Sequence, residues 1–484
     1  MTDEPTLRLE QEAQLAFCLS KPVTGDFSDP GTGKTPPSCV AIYAFWYLRK
    51  QKTIWTMPKS LMSKNRDELL KWSKFKPEEV VIVDGTPAKR LKQIKTPEAK
   101  VFIMGFTGFA REWPLVVEHH PEVAALVGDE WHLGFKGPES QRTESMLSFM
   151  AARGKKLLAM TGTMIDGRLD AAYSFIKAGK PNQYNNIHHF WAVHGIEDQN
   201  GRIVAWRNLD VIAKLFKELA VRFTFEQVYG PEAKVLEVIP VDMDPKQREA
   251  YEEFEDFALL ELEEDWLDGS QPGVNIIRCR QLMEHPQTFG APLDKIALTG
   301  KEQQLEIDLE DHKNTGKPLI IFSSLTAQHD RVAEQCKKMG FKVGIIDGRF
   351  SAKHRDKVDK DFRAGKLDIV IASAATAGVG FNWGHVDHII FMSLDYMDSN
   401  FVQAYRRAIR GKRETPVRIS VYEYRNSVDQ KIFEIVDKKS KLGNDIDDTR
   451  ERVRLKKARR KEENVADDEV DEAPTGAPFS MENL

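Results

Sequence analysis

The chain has 484 residues, 41% of them apolar and 30% charged, the balance of a soluble globular protein too long for one ordinary domain. Lys and Arg total 70 and Asp and Glu 74, so the net charge of −4 excludes a wholesale polycation, and any nucleic acid must be met by a local basic groove. Four scattered cysteines (Cys18, Cys39, Cys279, Cys336) show no CxxC spacing, which argues against a disulfide framework or a zinc module and fits a reducing, intracellular compartment.

The chain opens on Met1-Thr2-Asp3-Glu4, acidic and without an apolar h-region, so no signal peptide is expected. The apolar stretch Cys39–Leu48 is about half of a membrane span, and no membrane association is expected. Strands are predicted at Thr53–Met57, Val80–Asp84, Val101–Phe106, Leu126–Asp129 and Lys156–Met160. A second set is predicted at Pro318–Ser323, Lys342–Ile346, Asp368–Ala372, His388–Met392 and Val417–Tyr422. These runs are rich in Val, Ile and Leu without strict alternation, as strands buried on both faces are. The stretches between them, such as Leu61–Phe75 and Ala327–Met339, are long enough for helices. Strand alternating with helix implies α/β lobes with parallel sheets, and two sets imply two lobes.

Between the sets, Asp244–Asp268 is crowded with carboxylates, while Tyr251, Phe254, Leu259, Leu262 and Trp266 keep helical spacing. This reads as an amphipathic helix with a solvated acidic face. Near the end, Arg450–Lys461 holds eight basic residues and Glu462–Glu472 seven acidic ones. Opposed charge blocks with few apolar residues predict a frayed helix running into disorder, and a place for a protein partner to dock. The expected division is 1–225 and 301–445 for the two lobes, 226–300 for a helical insertion, and 446–484 for the charged tail.

Three motifs carry chemistry. Ser28-Asp29-Pro30-Gly31-Thr32-Gly33-Lys34-Thr35 precedes the helix-like run Val40–Leu48. The glycines let backbone N–H groups approach a phosphate, Lys34 would reach the β- and γ-phosphates, and Thr35 would place its hydroxyl on Mg²⁺. Ser28 stands where the GxxxxGK[ST] pattern has its first glycine. Asp129-Glu130-Trp131-His132 ends a predicted strand. Carboxylates there sit where α/β sheets bind ligands, so Asp129 would hold Mg²⁺ through water and Glu130 would activate the attacking water. Thr161-Gly162-Thr163 follows the next strand and on its own reads only as a turn.

Together these segments resemble the superfamily-two helicases and translocases, specifically the Swi/Snf-type double-stranded DNA translocases. Leu7-Arg8-Leu9-Glu10-Gln11 is similar to that family's adenine-recognising motif, with Gln11 as the base reader. Met57-Pro58-Lys59-Ser60-Leu61 with Trp72 resembles motif Ia, Asp129–His132 the DEAH box with Trp131 in place of the usual Ala, and Lys156–Thr163 motif III. Gln247–Tyr251 and Arg280–Pro286 resemble the Swi/Snf helical insertions. Lys317–Ser323 resembles motif IV, Ala372–Trp383 motif V with Gly378, Gly380 and Asn382 in place, and Gln403–Arg410 motif VI. The resemblance runs from about residue 5 to 440 and departs at Ser28, Trp131 and Gly411-Lys412.

The resemblance implies two RecA-like lobes, ATP and Mg²⁺, and a nucleotide held by Gln11, Gly31, Thr32, Gly33, Lys34, Thr35 and Gly380. It makes Arg407 and Arg410 arginine fingers, which at three-residue spacing share a face if the segment is helical. Closure on ATP and opening after hydrolysis would drive movement on double-stranded or branched DNA, held by its backbone with little sequence preference. Candidate contacts are Lys59 and Ser60, then Ser323, Ser324, Ser373 and Thr376. The competing readings are a strand-separating or branch-migrating DNA helicase at forks and, from another class, a nucleic-acid-binding scaffold with an inactive ATPase or a motor subunit that needs a partner. The expected location is cytoplasm, nucleoid or, in a eukaryote, nucleus. His119-His120 and His188-His189 read as packing or surface residues, and Trp46, Trp55, Trp72 and Trp113 as core.

Overall fold

The computed structural model describes residues 5–165, 169–197, 199, 201, 203–255, 274–377, 380–395, 398–409 and 411–433. These residues form two compact units, divided after Val228, with residues 197–204 grouped in the second.

The first unit is built on a seven-stranded sheet in the order β3-β4-β2-β5-β6-β1-β9. The strands are β1 (Val23–Asp26), β2 (Lys52–Thr56), β3 (Val80–Ile82), β4 (Val101–Met104), β5 (Val123–Asp129), β6 (Lys156–Met160) and β9 (Ala220–Val221). A short hairpin, β7 (Gly195–Glu197) with β8 (Ile203–Trp206), stands apart from the sheet. Every neighbouring pair in the seven-stranded sheet is parallel. α1 (Leu9–Ser20) precedes β1, and helices between the strands return the chain to the same edge each time: α2 (Thr35–Arg49), α3 (Met62–Lys71), α4 (Pro87–Ile94), α5 (Phe106–His119), and α6 (Trp131–Phe135) with α7 (Gln141–Ala152). Ile54, Phe102, Leu126 and Leu157 are fully buried between the sheet and these helices. Because all strands run one way, the loops after β1, β2, β5 and β6 leave from one edge of the sheet.

The second unit holds a six-stranded parallel sheet in the order β10-β15-β14-β11-β13-β12. Its strands are β10 (Lys234–Val241), β11 (Leu319–Phe322), β12 (Val343–Ile346), β13 (Ile369–Ala372), β14 (His388–Phe391) and β15 (Val417–Tyr424). Ile320, Ile371 and Ile390 have no exposed surface. No described helix is long and apolar enough to cross a membrane.

All ten predicted strands are present, most trimmed by a residue or two at their ends. Three strands of the two large sheets were not predicted, nor was the β7–β8 hairpin. β1 carries Thr24, Gly25 and Asp26 and lacks an apolar run, yet all four residues are buried. β9 is two residues long. β10 falls inside the segment expected to be a helical insertion, but pairs with β15 over eight residues as the edge of the second sheet. Of the acidic segment Asp244–Asp268, residues 245–255 are helical, with Gln247 and Tyr251 buried, and residues 256–268 lie outside the described residues, as do Gly378, Arg410 and the charged tail.

Candidate nucleotide site

The glycine loop leaves β1 and enters α2. Gly31 and Gly33 have φ of 90° and 89°, a conformation that side chains disfavour. A Cβ on Gly33 would also stand 2.8 Å from Gln11 Nε2 and 3.0 Å from Arg8 Nη2, so this position has neither the torsion nor the space for another residue. Ser28 does not share the positive φ. Its hydroxyl accepts from Gln14 Nε2 at 2.9 Å and from the Phe223 N–H at 3.0 Å, and the side chain is fully buried. The departure from the glycine pattern is thus a hydrogen-bonded joint between the loop, α1 and the chain after β9. Pro36 and Pro37 fall in the first turn of α2, where a missing N–H costs little.

Lys34 folds over the loop and donates to the carbonyls of Ser28 (2.6 Å) and Asp29 (3.1 Å). Burial pulls its ammonium below the ordinary lysine range, opposed by Asp26, Glu130, Asp129 and Asp29. Asp26 is buried at the end of β1 and its pKa is raised by that burial, although the Ser28 N–H donates to its carboxylate at 3.1 Å. Arg222 reaches Asp29 at 3.1 Å, and the Phe225 N–H donates to the same carboxylate.

Gln11 is buried under this loop. Its Nε2 donates to the Gly33 carbonyl at 2.9 Å and its Oε1 accepts the Arg8 N–H at 3.0 Å. Arg8 Nη2 donates to the Thr32 carbonyl at 2.5 Å. Sequence reasoning singled out Gln11 and missed Arg8, Gln14 and Arg222 as loop partners, since those pairings span 12 to 193 residues of chain.

The carboxylate pair ends β5, two strands from β1 across β6. Asp129 Oδ2 accepts from Asn65 Nδ2 at 2.7 Å, and Oδ1 accepts the Glu130 N–H at 3.0 Å. Burial and the adjacent Glu130 charge push Asp129 up to about 6, against the opposing pull of Asn65 and Lys34. Glu130 has φ of 50° on a residue with a side chain, a backbone cost of order 1–3 kcal/mol kept where surroundings dictate it. Its Oε2 is buried without a hydrogen-bond donor among the described residues, 3.7 Å from His132 Nδ1. That nitrogen lies 2.7 Å from Thr161 Oγ1. The Thr161 N–H donates to the Asp26 carbonyl at 3.1 Å, and a Cβ on Gly162 would meet Pro30 Cδ at 2.6 Å. The Thr-Gly-Thr triplet is therefore seated against the glycine loop and His132, and is more than a turn.

Trp131, where the resemblance has alanine, is fully buried. It packs against Phe135 with ring centroids 4.4 Å apart and the rings tilted by 44°, and a Cβ on Gly128 would stand 2.7 Å from its ring. Gly128 supplies the room that the larger side chain needs. Magnesium, implied by the resemblance, fits these groups. It takes one or two carboxylates together with hydroxyl, water and phosphate oxygens, and here Asp129 and the Thr35 side chain opening α2 are of that kind, with the donorless Glu130 Oε2 on the next residue.

The remaining predicted residues are distributed differently. Lys59 is exposed after β2 and pairs with Asp84 at 2.8 Å, with Ser60 beside it in a 3₁₀ turn. In the second unit, Ser373 Oγ donates to Thr376 Oγ1 at 2.8 Å after β13. Ser323 corrects its expectation. It is 1% exposed and its hydroxyl is committed to Gln328 Oε1 (2.6 Å) and Glu284 Oε2 (3.2 Å), so it offers no surface to a DNA backbone. Ser324 is held likewise by Glu284 and Ser393. Arg280 and Glu284, on the helix Val274–Glu284, thus fasten the RQLMEHP segment onto the ends of β11 and β14. Gly380 has φ of 95°.

Arg407 departs from the helical expectation. The helix Asp398–Tyr405 ends before it, and the Arg407 and Ala408 N–H groups turn back to carbonyls three residues earlier. Arg406 is drawn away to Glu232 at 2.6 Å, and the 8%-exposed Arg407 gives its carbonyl to the Trp383 N–H. His120 packs on Phe102 and contacts Lys52, whereas His188 and His189 are exposed. Trp55 is fully buried, while Trp46, Trp72 and Trp113 are half-buried.

Comparison with known families gives two matches. The SNF2-related domain matches residues 27–288, more than half of the chain, and the helicase conserved C-terminal domain matches residues 300–412. The chromodomain-helicase-DNA-binding protein 3 homolog of Caenorhabditis elegans is 25% identical over 341 residues, 66% of this chain and 18% of that protein. An ATP-dependent helicase of Mycoplasma pneumoniae, described as uncharacterized, is 25% identical over 388 residues, 77% of this chain and 36% of that protein. The chain thus spans well under half the length of these relatives. Among solved structures, the Sulfolobus solfataricus SWI2/SNF2 ATPase core in complex with dsDNA is 17% identical, with a TM-score of 0.40, covering 92% of this chain and 93% of that one.

Proposed function

The chain belongs to the SNF2-related family, and from that premise we propose that it is a nucleic-acid-dependent ATPase that moves on double-stranded DNA and remodels DNA or protein–DNA complexes. The observation that carries the reading is the convergence at one edge of the first sheet. The glycine loop with Lys34, the Asp129–Glu130 pair and the Thr161–Gly162 turn all meet there.

In this reading the backbone of Gly31, Thr32 and Gly33 receives the phosphates of ATP. Lys34 exchanges its contacts with the Ser28 and Asp29 carbonyls for phosphate oxygens, a swap of one set of acceptors for another. Gln11, already on the Gly33 carbonyl, reads the base edge. Glu130 accepts a proton from the attacking water through the oxygen that lacks a donor. Thr35 and Asp129 hold magnesium, which when bound neutralises phosphate charge. Arg407 and Arg410 stabilise charge on the transferred phosphoryl group, and Gly380 lets backbone approach the nucleotide. Lys59, Ser60, Ser373 and Thr376 contact the DNA backbone, so binding is salt-dependent and nearly blind to sequence.

A triplex-displacement assay tests translocation. The chain, ATP and a duplex carrying a third strand should release that strand and leave the duplex intact. Release only when the duplex itself separates would replace this reading with a strand-separating helicase.

A further inference from the structure

Asn65 lies near the middle of α3, is 3% exposed, and belongs to no motif described above. Its Nδ2 donates to Asp129 Oδ2 at 2.7 Å and stands 3.3 Å from Met57 Sδ, the residue that precedes Pro58-Lys59-Ser60. The other oxygen of Asp129 accepts the Glu130 N–H. Both carboxylate oxygens are thus oriented by neutral donors. An amide fixes the rotamer without cancelling the charge, as a lysine there would.

The same segment begins at the surface. The 3₁₀ turn Lys59–Leu61 runs directly into α3, so Lys59 opens one continuous helical segment and Asn65 lies about 10 Å further along it. The outer end carries Lys59, whose side chain is 73% exposed and paired with the exposed Asp84. Asn65, further along the same segment, touches the carboxylate of Asp129, next to Glu130. A DNA phosphate that took the place of Asp84 at Lys59 would act on the segment that carries Asn65.

We propose that Asn65 is a positioning residue: it holds Asp129 in the orientation that receives a divalent cation, and it ties that orientation to occupancy of the Lys59–Ser60 segment by duplex DNA. The inference rests on the ATPase reading above, and it adds the residue through which DNA contact reaches the nucleotide site.

The test uses the full chain with Asn65→Leu and Asn65→Ser, and a fluorescent ATP analogue titrated first without Mg²⁺ and then with it. Metal-free affinity for the analogue and affinity for duplex should stay within about twofold of wild type. The Mg²⁺ concentration for half-maximal response should rise about 10–100-fold, as when the partner orienting a metal ligand is lost. Duplex stimulation of hydrolysis should fall with it. Two outcomes overturn the inference: Mg²⁺ titrations of both variants that coincide with wild type, or metal-free binding, duplex binding and melting temperature falling together in both, which would make Asn65 a core residue only. A wild type that binds the analogue with Mg²⁺ dependence yet never hydrolyses ATP would sink the motor reading, and the Mg²⁺ titration would still decide the role of Asn65.

Discussion

Replacing Ser28 with glycine restores the common phosphate-loop pattern, so a purely motif-based view expects no loss. The structure predicts the opposite. Ser28 is fully buried, and its hydroxyl accepts from Gln14 and from the Phe223 N–H. Gln14 keeps a second, longer acceptor in Asp26 at 3.4 Å, but the Phe223 N–H is left unsatisfied. An orphaned buried donor costs about 1–3 kcal/mol. The added backbone freedom of glycine, at a position with no positive φ, costs roughly 0.5–1 kcal/mol more. The sum, about 1.5–4 kcal/mol, corresponds to a fall of about 3–16 °C in Tm for a domain of this size. Thermal unfolding of the full chain followed by circular dichroism reads the effect, with Ser28→Ala isolating the hydroxyl. A Ser28→Gly chain that melts with wild type and binds nucleotide as well would show that the joint contributes nothing.

Other predictions follow from the same site. Lys34→Ala should abolish ATP turnover, and Glu130→Gln should keep nucleotide binding while slowing hydrolysis by about 10²-fold or more, read as single-turnover rates. Trp131→Ala empties a site beside Gly128 and Phe135 and should cost about 3–5 kcal/mol, measured by urea unfolding. Asp129 is held up to about 6, above its unfolded value, so the folded state binds the extra proton. Its contribution in Mg²⁺-free buffer should decline as pH rises from about 4 to about 6, and Asp129→Asn should remove that part of the pH dependence of Tm. Lys59→Glu should weaken duplex binding similarly for all sequences and reduce the slope of log affinity against log salt by about 1, measured by fluorescence anisotropy.

Much of the fold was legible because strands buried on both faces are written as Val, Ile and Leu runs, as in Val101-Phe102-Ile103-Met104 and Leu319-Ile320-Ile321-Phe322. β1 was not, because Thr24 and Asp26 are buried by their neighbours and Gly25 is accommodated against the Phe27 ring, none of which leaves an apolar pattern. β10 was hidden by its exposure, since an edge strand with Glu237 among Val235, Leu236 and Val238 need not obey the rule for buried strands. The chemical groups were legible at Lys34, Asp129 and Glu130 because their spacing is set by short local turns. Their partners were not: Asn65 reaches Asp129 across 64 residues and Arg222 reaches Asp29 across 193. Motif VI shows the limit of periodicity. A three-residue spacing predicts a shared helical face only while the helix continues, and here it ends at Tyr405.

Hydrolysis at this site should answer to duplex DNA. The direct measurement is the steady-state ATPase rate without nucleic acid and with single-stranded DNA, plain duplex, forked DNA and RNA, beside Lys34→Ala and Glu130→Gln. Plain duplex should stimulate hydrolysis strongly, and neither variant should respond. Stimulation by RNA alone, or ATP binding without hydrolysis under every condition, would contradict this.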